Sequence, residues 1–265
     1  MALMQIRIRS GVLSTRTEVM VVLPIDNKGF NQWARKPKYQ VVYMLHGGGG
    51  DASMWLRETS AERYARERNV ALIFPDAGGF SYYTDCAYGK DYWTYISEEL
   101  PEMMSAMLPI SEKREDNFVA GFSMGGYGAF KCALLHPERF SAAAALSGGF
   151  DLERLLADGL STVPNKARMA IFGEPPKIDP NASDLYTMLK NLKDQNREIP
   201  LLYTACGSED PLTYSCHCRM IDFCKQNGIP LEAHTSPGAH TFKFWDPATE
   251  AMLDWLPLKR EPLFD

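Results

Sequence analysis

Phe118-Val119-Ala120-Gly121-Phe122-Ser123-Met124-Gly125-Gly126-Tyr127-Gly128-Ala129 runs from an apolar segment, through Gly-x-Ser-x-Gly, into a segment with helical spacing. A serine at such a strand-to-helix junction sits in a strained turn. Side chains two residues to either side would collide across it, which accounts for glycine at 121 and 125. The turn lifts the hydroxyl above the end of a sheet, at the positive end of a helix. The bare pentapeptide is a weak signal, and a glycine-rich turn with an incidental serine is its bland alternative. The strand before it and the helix after it turn it into a candidate nucleophile.

Working outward, short apolar runs recur, each ended by Gly, Pro, Asp or Asn: 3–9, 17–23, 40–45, 70–74, 117–122, 142–146, 200–205 and 231–235. They read as eight strands. The first alternates Ile6 and Ile8 with Gln5, Arg7 and Arg9, as a half-exposed strand does. Val41-Val42-Tyr43-Met44-Leu45 is apolar throughout, which fits a parallel strand covered on both faces.

Helical patterns fill the gaps. Thr59-Ser60-Ala61-Glu62 has the form of a capping box opening a helix to Asn69. Asp91 opens another through Leu108, with Pro101 expected to kink or divide it. Helices are expected at 126–136, at 216–227 closed by Gly228, and at 245–256 stopped by Pro257. Strands alternating with helices define an α/β fold with right-handed crossovers. The stretch 150–197 carries Pro164, Pro175, Pro176 and Pro180 and no strand pattern. It reads as a cap-like insertion between the sixth and seventh strands of one domain spanning 1–265.

The chain has 265 residues, 45% hydrophobic and 23% charged, with 28 Lys+Arg against 33 Asp+Glu for a net charge of −5. That is ordinary globular usage, against disorder. No run approaches the roughly 20 apolar residues of a membrane helix, and the mild acidity gives no footprint for nucleic acid or anionic membrane. The N-terminus lacks the pattern of a secretory leader, so a cytoplasmic location is expected. The six cysteines, too sparse for a disulfide scaffold, are expected to be reduced.

A serine hydroxyl needs a base. Five histidines are available: His46, His136, His217, His234 and His240. Where this turn carries a catalytic serine, the chain order is serine, acid, histidine, with the histidine beyond the final strand. His136 closes the helix after the serine, His217 lies on a helix and His234 within the last strand. His240, on the loop Ser236-Pro237-Gly238-Ala239-His240, can reach over the sheet; the bland alternative is a solvated loop histidine. The acid should follow the penultimate strand, where Cys206-Gly207-Ser208-Glu209-Asp210-Pro211 offers two. Asp210 is favoured over Glu209 by the Gly-x-x-Asp spacing, although an aspartate there also suits a helix cap.

Acyl transfer further requires two backbone N–H groups aimed at the developing oxyanion. Met124, next to the serine, supplies one. His46-Gly47-Gly48-Gly49-Gly50 supplies the other, with Gly48 the first choice and Gly47 or Gly49 open. A phosphate loop is disfavoured because no Gly-Lys-Ser/Thr follows. Cys216-His217-Cys218 with Cys224 invites a metal reading, but successive helical residues point about 100° apart and do not converge on one ion. Phe80, Tyr82, Tyr83, Tyr88, Tyr92, Trp93 and Tyr95 are either pocket lining or core packing.

Tyr43-Met44-Leu45-His46-Gly47, Trp55, the 121–129 turn, His136-Pro137-Glu138-Arg139-Phe140 and Gly238-Ala239-His240 resemble the Putative esterase family of α/β hydrolases. That group takes in S-formylglutathione hydrolases (esterase D), feruloyl esterases, mycolyltransferases and tributyrin esterases. The stretch 88–101 looks most like the bacterial tributyrin-esterase branch, and the resemblance covers nearly the whole chain. The run of four glycines after His46 departs from the family's more varied loop, and 150–197 is its least family-like part.

The resemblance implies the α/β-hydrolase fold, with Ser123, Asp210 and His240 as triad and Gly48 and Met124 as oxyanion donors. Expected is a serine carboxylesterase acting without cofactor or metal on short acyl or aryl esters, including acetylated or feruloylated sugars. The long groove of a lipase is not evident. Partners are expected to be small-molecule esters and neither nucleic acid nor membrane; a homo-oligomer is compatible with the sequence. The alternatives are an S-formylglutathione-type thioesterase or acyltransferase, and a non-catalytic binding protein on a hydrolase scaffold.

Overall fold

The computed structural model describes residues 1–25, 38–152 and 165–259. Its eight strands are β1 (Ala2–Ser10), β2 (Thr15–Leu23), β3 (Val41–Leu45), β4 (Ala71–Pro75), β5 (Asn117–Phe122), β6 (Ala142–Leu146), β7 (Leu201–Gly207) and β8 (Glu232–Ser236). They form one sheet in the order β1-β2-β4-β3-β5-β6-β7-β8. β1 and β2 pair antiparallel, β2 meets β4 antiparallel, and every later pair is parallel. Each expected strand is present; 117–122 and 142–146 agree at both ends and the others shift by a residue or two.

The burial pattern explains the order. The runs without alternation, β3 to β6, lie fully buried in the middle, whereas alternating β1 is an edge. One apolar core lies on each face of the sheet. Registry aligns the carboxyl ends: Leu45 faces Gly121, Phe122 faces Leu146, Leu146 faces Ala205 and Gly207 faces Ser236. The loops that follow these strands therefore open on one rim, where ligands of α/β sheets bind.

Among the described residues the helices are α1 (Met54–Glu58), α2 (Ala61–Arg68), α3 (Leu100–Met107), α4 (Met124–Leu135), α5 (Asn165–Phe172), α6 (Pro180–Ser183), α7 (Leu185–Asp194), α8 (Tyr214–Asn227) and α9 (Phe242–Trp255), with a short turn at Tyr92–Thr94. The helical segment with Pro101 changes its winding there: a π-helical turn, Tyr95–Glu99, runs directly into α3, and Ser97 O, four residues before Pro101, accepts from the Arg139 guanidinium. The capping box does not form. Thr59 gives its hydroxyl to Trp55 O at 2.6 Å, and the Ser60 N–H is taken by Asp246 Oδ1 of α9 at 2.7 Å. A tertiary acceptor thus replaces the local one. α9 begins at Phe242 and not at Trp245, so Pro247 sits in its interior and not in its first turn.

The stretch 150–197 is not cover throughout. Asp184 accepts from the Thr187 N–H and caps α7, whose Leu185, Met188, Leu189 and Leu192 are buried in the core beside α4. α7 is thus the crossover helix from β6 to β7, and α5 and α6 precede it. Pro164 lies outside the described residues. No helix of the described residues is long and apolar enough to cross a membrane.

Candidate active site

Ser123 follows β5 at φ +54° and ψ −120°, backbone that a non-glycine residue adopts only under constraint. Backbone supplies the constraint. The Ser123 N–H donates to Leu146 O of β6 at 2.9 Å, and Ser123 O accepts from the N–H groups of Gly126, Tyr127 and Gly149 at 3.0, 3.3 and 3.2 Å. The two motif glycines have no room for a side chain: a Cβ on Gly121 would stand 2.2 Å from Gly125 O, and one on Gly125 2.2 Å from Leu45 O. The turn thus presses against its own far side and against β3.

A peptide's C=O and N–H point in opposite directions. Because Ser123 O is turned into the protein, the N–H of Met124 faces away from those donors. Among the described residues it has no acceptor, and neither has the N–H of Gly48. The N–H of Gly49 is spent on Gly79 O.

The other chain ends meet Ser123 from the far strands. His240 Nε2 lies 2.9 Å from Ser123 Oγ, and His240 Nδ1 lies 2.7 Å from Asp210 Oδ2. The loops after β7 and β8 are stitched together by Ser208 N–H to Ser236 O and Glu209 N–H to Gly238 O, both 2.9 Å. Gly207 allows the approach, since a Cβ there would stand 2.2 Å from Gly238 O. The stitch leaves Glu209 exposed and turns Asp210 inward. Asp210 accepts from the N–H groups of Leu212 and Thr213 on Oδ1, at 2.9 and 3.1 Å, and from the Thr213 hydroxyl on Oδ2 at 2.7 Å. Burial pushes this carboxyl up, but the bond and charge of His240, with Thr213, outweigh it and hold the group well below the usual carboxylate range.

The remaining histidines lie elsewhere. His136 ends α4 beside Glu138, and His234 pairs with Glu232 on the edge strand. Both ring nitrogens of buried His217 are 3.1 Å from threonine hydroxyls, Thr204 and Thr235. His46 is buried beneath the glycine loop. Of the aromatic cluster, Tyr83 and Tyr95 are core, whereas Tyr88 is exposed. Tyr82 stands edge-on to Tyr127, with its N–H on Met124 Sδ.

The sequence did not reveal the supports. Trp245 packs edge-on against the His240 ring at 4.8 Å, stacks on Phe122 and donates Nε1–H to Ser147 Oγ. Thr213 had a readable signal: an aspartate accepting from the N–H groups two and three residues on is a local turn motif.

A serine on a strained strand-to-helix turn, in line with a histidine and a buried aspartate, on a mostly parallel eight-stranded sheet, defines a serine hydrolase of the α/β-hydrolase fold. The chain belongs to the Putative esterase family, whose model matches residues 10–256, and is a carboxylic ester hydrolase. It is 28% identical to the acetyl esterase of Caldicellulosiruptor saccharolyticus, over 97% of this chain and 98% of that one. Fluorophosphonate-binding serine hydrolase F of Staphylococcus aureus superposes with a TM-score of 0.89 at 31% identity, covering 100% of this chain and 99% of that one. An S-formylglutathione hydrolase of Staphylococcus aureus gives 0.86 at 31%, covering 96% and 98%. A ferulic acid esterase shares the fold, with a TM-score of 0.78 at 22% identity over 96% and 97%.

Proposed function

We propose that the chain hydrolyses carboxylic esters of short acyl groups through an acyl-enzyme on Ser123. The observation that carries this is the unbroken line Asp210 Oδ2, His240 Nδ1, His240 Nε2, Ser123 Oγ, with spacings of 2.7 and 2.9 Å. His240 Nε2 takes the hydroxyl proton as Ser123 Oγ attacks the carbonyl carbon. Asp210 holds the proton-bearing Nδ1 and balances the imidazolium. The N–H groups of Met124 and Gly48 receive the oxyanion. The proton passes to the leaving alcohol, and water repeats the cycle to release the acid.

In this proposal the acyl group is kept short by Tyr82, whose N–H lies on Met124 Sδ and whose ring packs against Tyr127 and Phe172 with centroids 6.2 Å away in each case. The similarity to an S-formylglutathione hydrolase favours a second substrate class, the thioester, handled by the same groups.

The test sets p-nitrophenyl acetate beside S-formylglutathione, with a fluorophosphonate probe on wild type and Ser123→Ala. Turnover and labelling that vanish together in the variant are expected; a wild type that takes up no probe would revive the binding-protein alternative. EDTA dialysis should leave the rate unchanged. Loss restored by zinc would show that the triad is not the working centre.

A further inference from the structure

His46 stands directly before the glycine loop and is not the base, yet its ring is buried and both its nitrogens are engaged. The Ala77 N–H points at Nε2 from 3.0 Å, and a backbone N–H can only donate. Nε2 therefore accepts, so in the neutral ring Nδ1 carries the proton and donates it to Gly47 O at 2.8 Å. Burial lowers the ring's affinity for a second proton, outweighing the Gly47 carbonyl and the charges of Asp76 and Asp51. Gly47 O also accepts from the Gly50 N–H at 3.2 Å.

Gly47 O and the Gly48 N–H belong to one planar trans peptide and point in opposite directions. A glycine pair rotates freely about its flanking bonds, so nothing in its own chemistry decides which way this peptide faces. The two donors on Gly47 O decide it. With the carbonyl drawn onto the imidazole, the Gly48 N–H is turned away from the ring, and it has no acceptor among the described residues. The Gly47 backbone lies beside the nucleophile: a Cβ there would stand 3.3 Å from Ser123 Cβ. Ser123 O fixes the Met124 N–H by the same logic.

We propose that His46 is the positioning residue of the oxyanion hole: its neutral ring, clamped between Ala77 and Gly47, orients the Gly47–Gly48 peptide so that the Gly48 N–H meets the developing oxyanion. The ring touches no reacting atom and acts only through that peptide. The inference rests on Ser123 being the nucleophile.

The test uses the purified full chain with His46→Leu, His46→Asn and His46→Gln, read by kcat and KM on p-nitrophenyl acetate. It adds the inhibition constant of phenylboronic acid, whose serine adduct puts an oxygen in the oxyanion position, and the melting temperature. Losing one oxyanion donor costs about 10²–10³ in kcat. His46→Leu should fall by about that factor with KM nearly unchanged, and should bind the boronic acid more weakly in proportion. His46→Asn places an amide N–H near the position of Nδ1 and should recover most of kcat. His46→Gln, which reaches Ala77 but not Gly47, should not. A folded His46→Leu with wild-type kcat and boronate affinity overturns the proposal, as does a loss of kcat with boronate affinity intact. If the leucine variant does not fold, equal activity of the Asn and Gln variants overturns it instead. A wild type that neither turns over ester nor takes up fluorophosphonate would remove the nucleophile reading itself, a different outcome from an active wild type indifferent to His46.

Discussion

Ser123 and His240 act as one unit, because the hydroxyl is a nucleophile only while Nε2 can take its proton. Ser123→Ala and His240→Ala should therefore each lower kcat by about 10⁴–10⁶, and the double variant should lose little more. Asp210→Asn should cost up to about 10⁴ by permitting the wrong tautomer, whereas Glu209→Gln should stay near wild type. Kinetics on these five variants decide, and damage centred on Glu209 would move the acid from Asp210 to Glu209. Asp210 also links to stability. Its folded pKa lies below the unfolded value of about 3.9, so its contribution is present above that value and is lost as the pH falls through the folded pKa. Urea titrations should show wild type more stable than Asp210→Asn at pH 6, with the gap closing below about pH 4. The sequence places an acid after β7 and its Gly-x-x-Asp spacing favours Asp210, but the cause of the inward turn, the Glu209–Gly238 bond across two loops, is not written in that local spacing. The role of His46 was hidden for the same reason, its partner Ala77 being 31 residues away.

At the scale of elements, the readable features were those decided within a few residues: the strand, turn and helix around Ser123, the closure of α8 at Gly228, and the change of winding at Pro101. The unreadable ones were decided from outside, such as Ser60 taken over by Asp246. The crossover helix α7 lies within the stretch expected as a cap-like insertion, although Leu185, Met188, Leu189 and Leu192 have the spacing of a buried stripe; the prolines before it mask that spacing. Backbone crowding at the turn makes a sharp contrast. Gly125→Ala puts a Cβ 2.2 Å from Leu45 O, whereas a Cβ on Gly79 would meet nothing nearer than Gly49 Cα at 3.7 Å. Gly125→Ala should cost about 1–3 kcal/mol or more, lowering the melting temperature by several degrees, and Gly79→Ala should be near neutral. Equal melting temperatures would mean the turn relaxes freely. On α4, Lys131 is buried, donates to Tyr83 O at 2.8 Å, and is held down to about 8 by burial. Its unfolded pKa is higher, so the unfolded chain binds the extra proton between about 8 and 10.5 and stability rises with pH across that window. Relative to Lys131→Met, wild type should gain up to a few kcal/mol from about pH 8 to 10, since one pKa unit is about 1.4 kcal/mol. An unchanged or widening deficit would contradict the sign.

The whole molecule brings six parallel strand ends to one rim, and the contributors to the site lie 194 residues apart in sequence, from His46 to His240. That convergence was legible because an α/β chain orders its loops by topology, so position after a given strand stood in for position in space. What topology could not convey is the volume available to substrate, which depends on how side chains from separate loops pack. Tyr82 and Tyr83 both have positive φ, +47° and +48°, in the loop after β4. Tyr83 anchors that loop by donating its hydroxyl to His46 O and lying on Gly128, and Tyr82, with its N–H on Met124 Sδ, is the residue proposed to bound the acyl side. Each acyl methylene that finds room adds about 0.8 kcal/mol, roughly fourfold in kcat/KM, until the chain meets the wall and the increment reverses. On p-nitrophenyl esters, kcat/KM should rise from acetate to butyrate or at most hexanoate and then fall. Tyr82→Gly removes the ring and relieves the left-handed backbone at once, so it should move the optimum to longer chains without a large loss on acetate. A steady rise through decanoate in the wild-type enzyme would mean that the acyl chain leaves by another route and that Tyr82 bounds nothing.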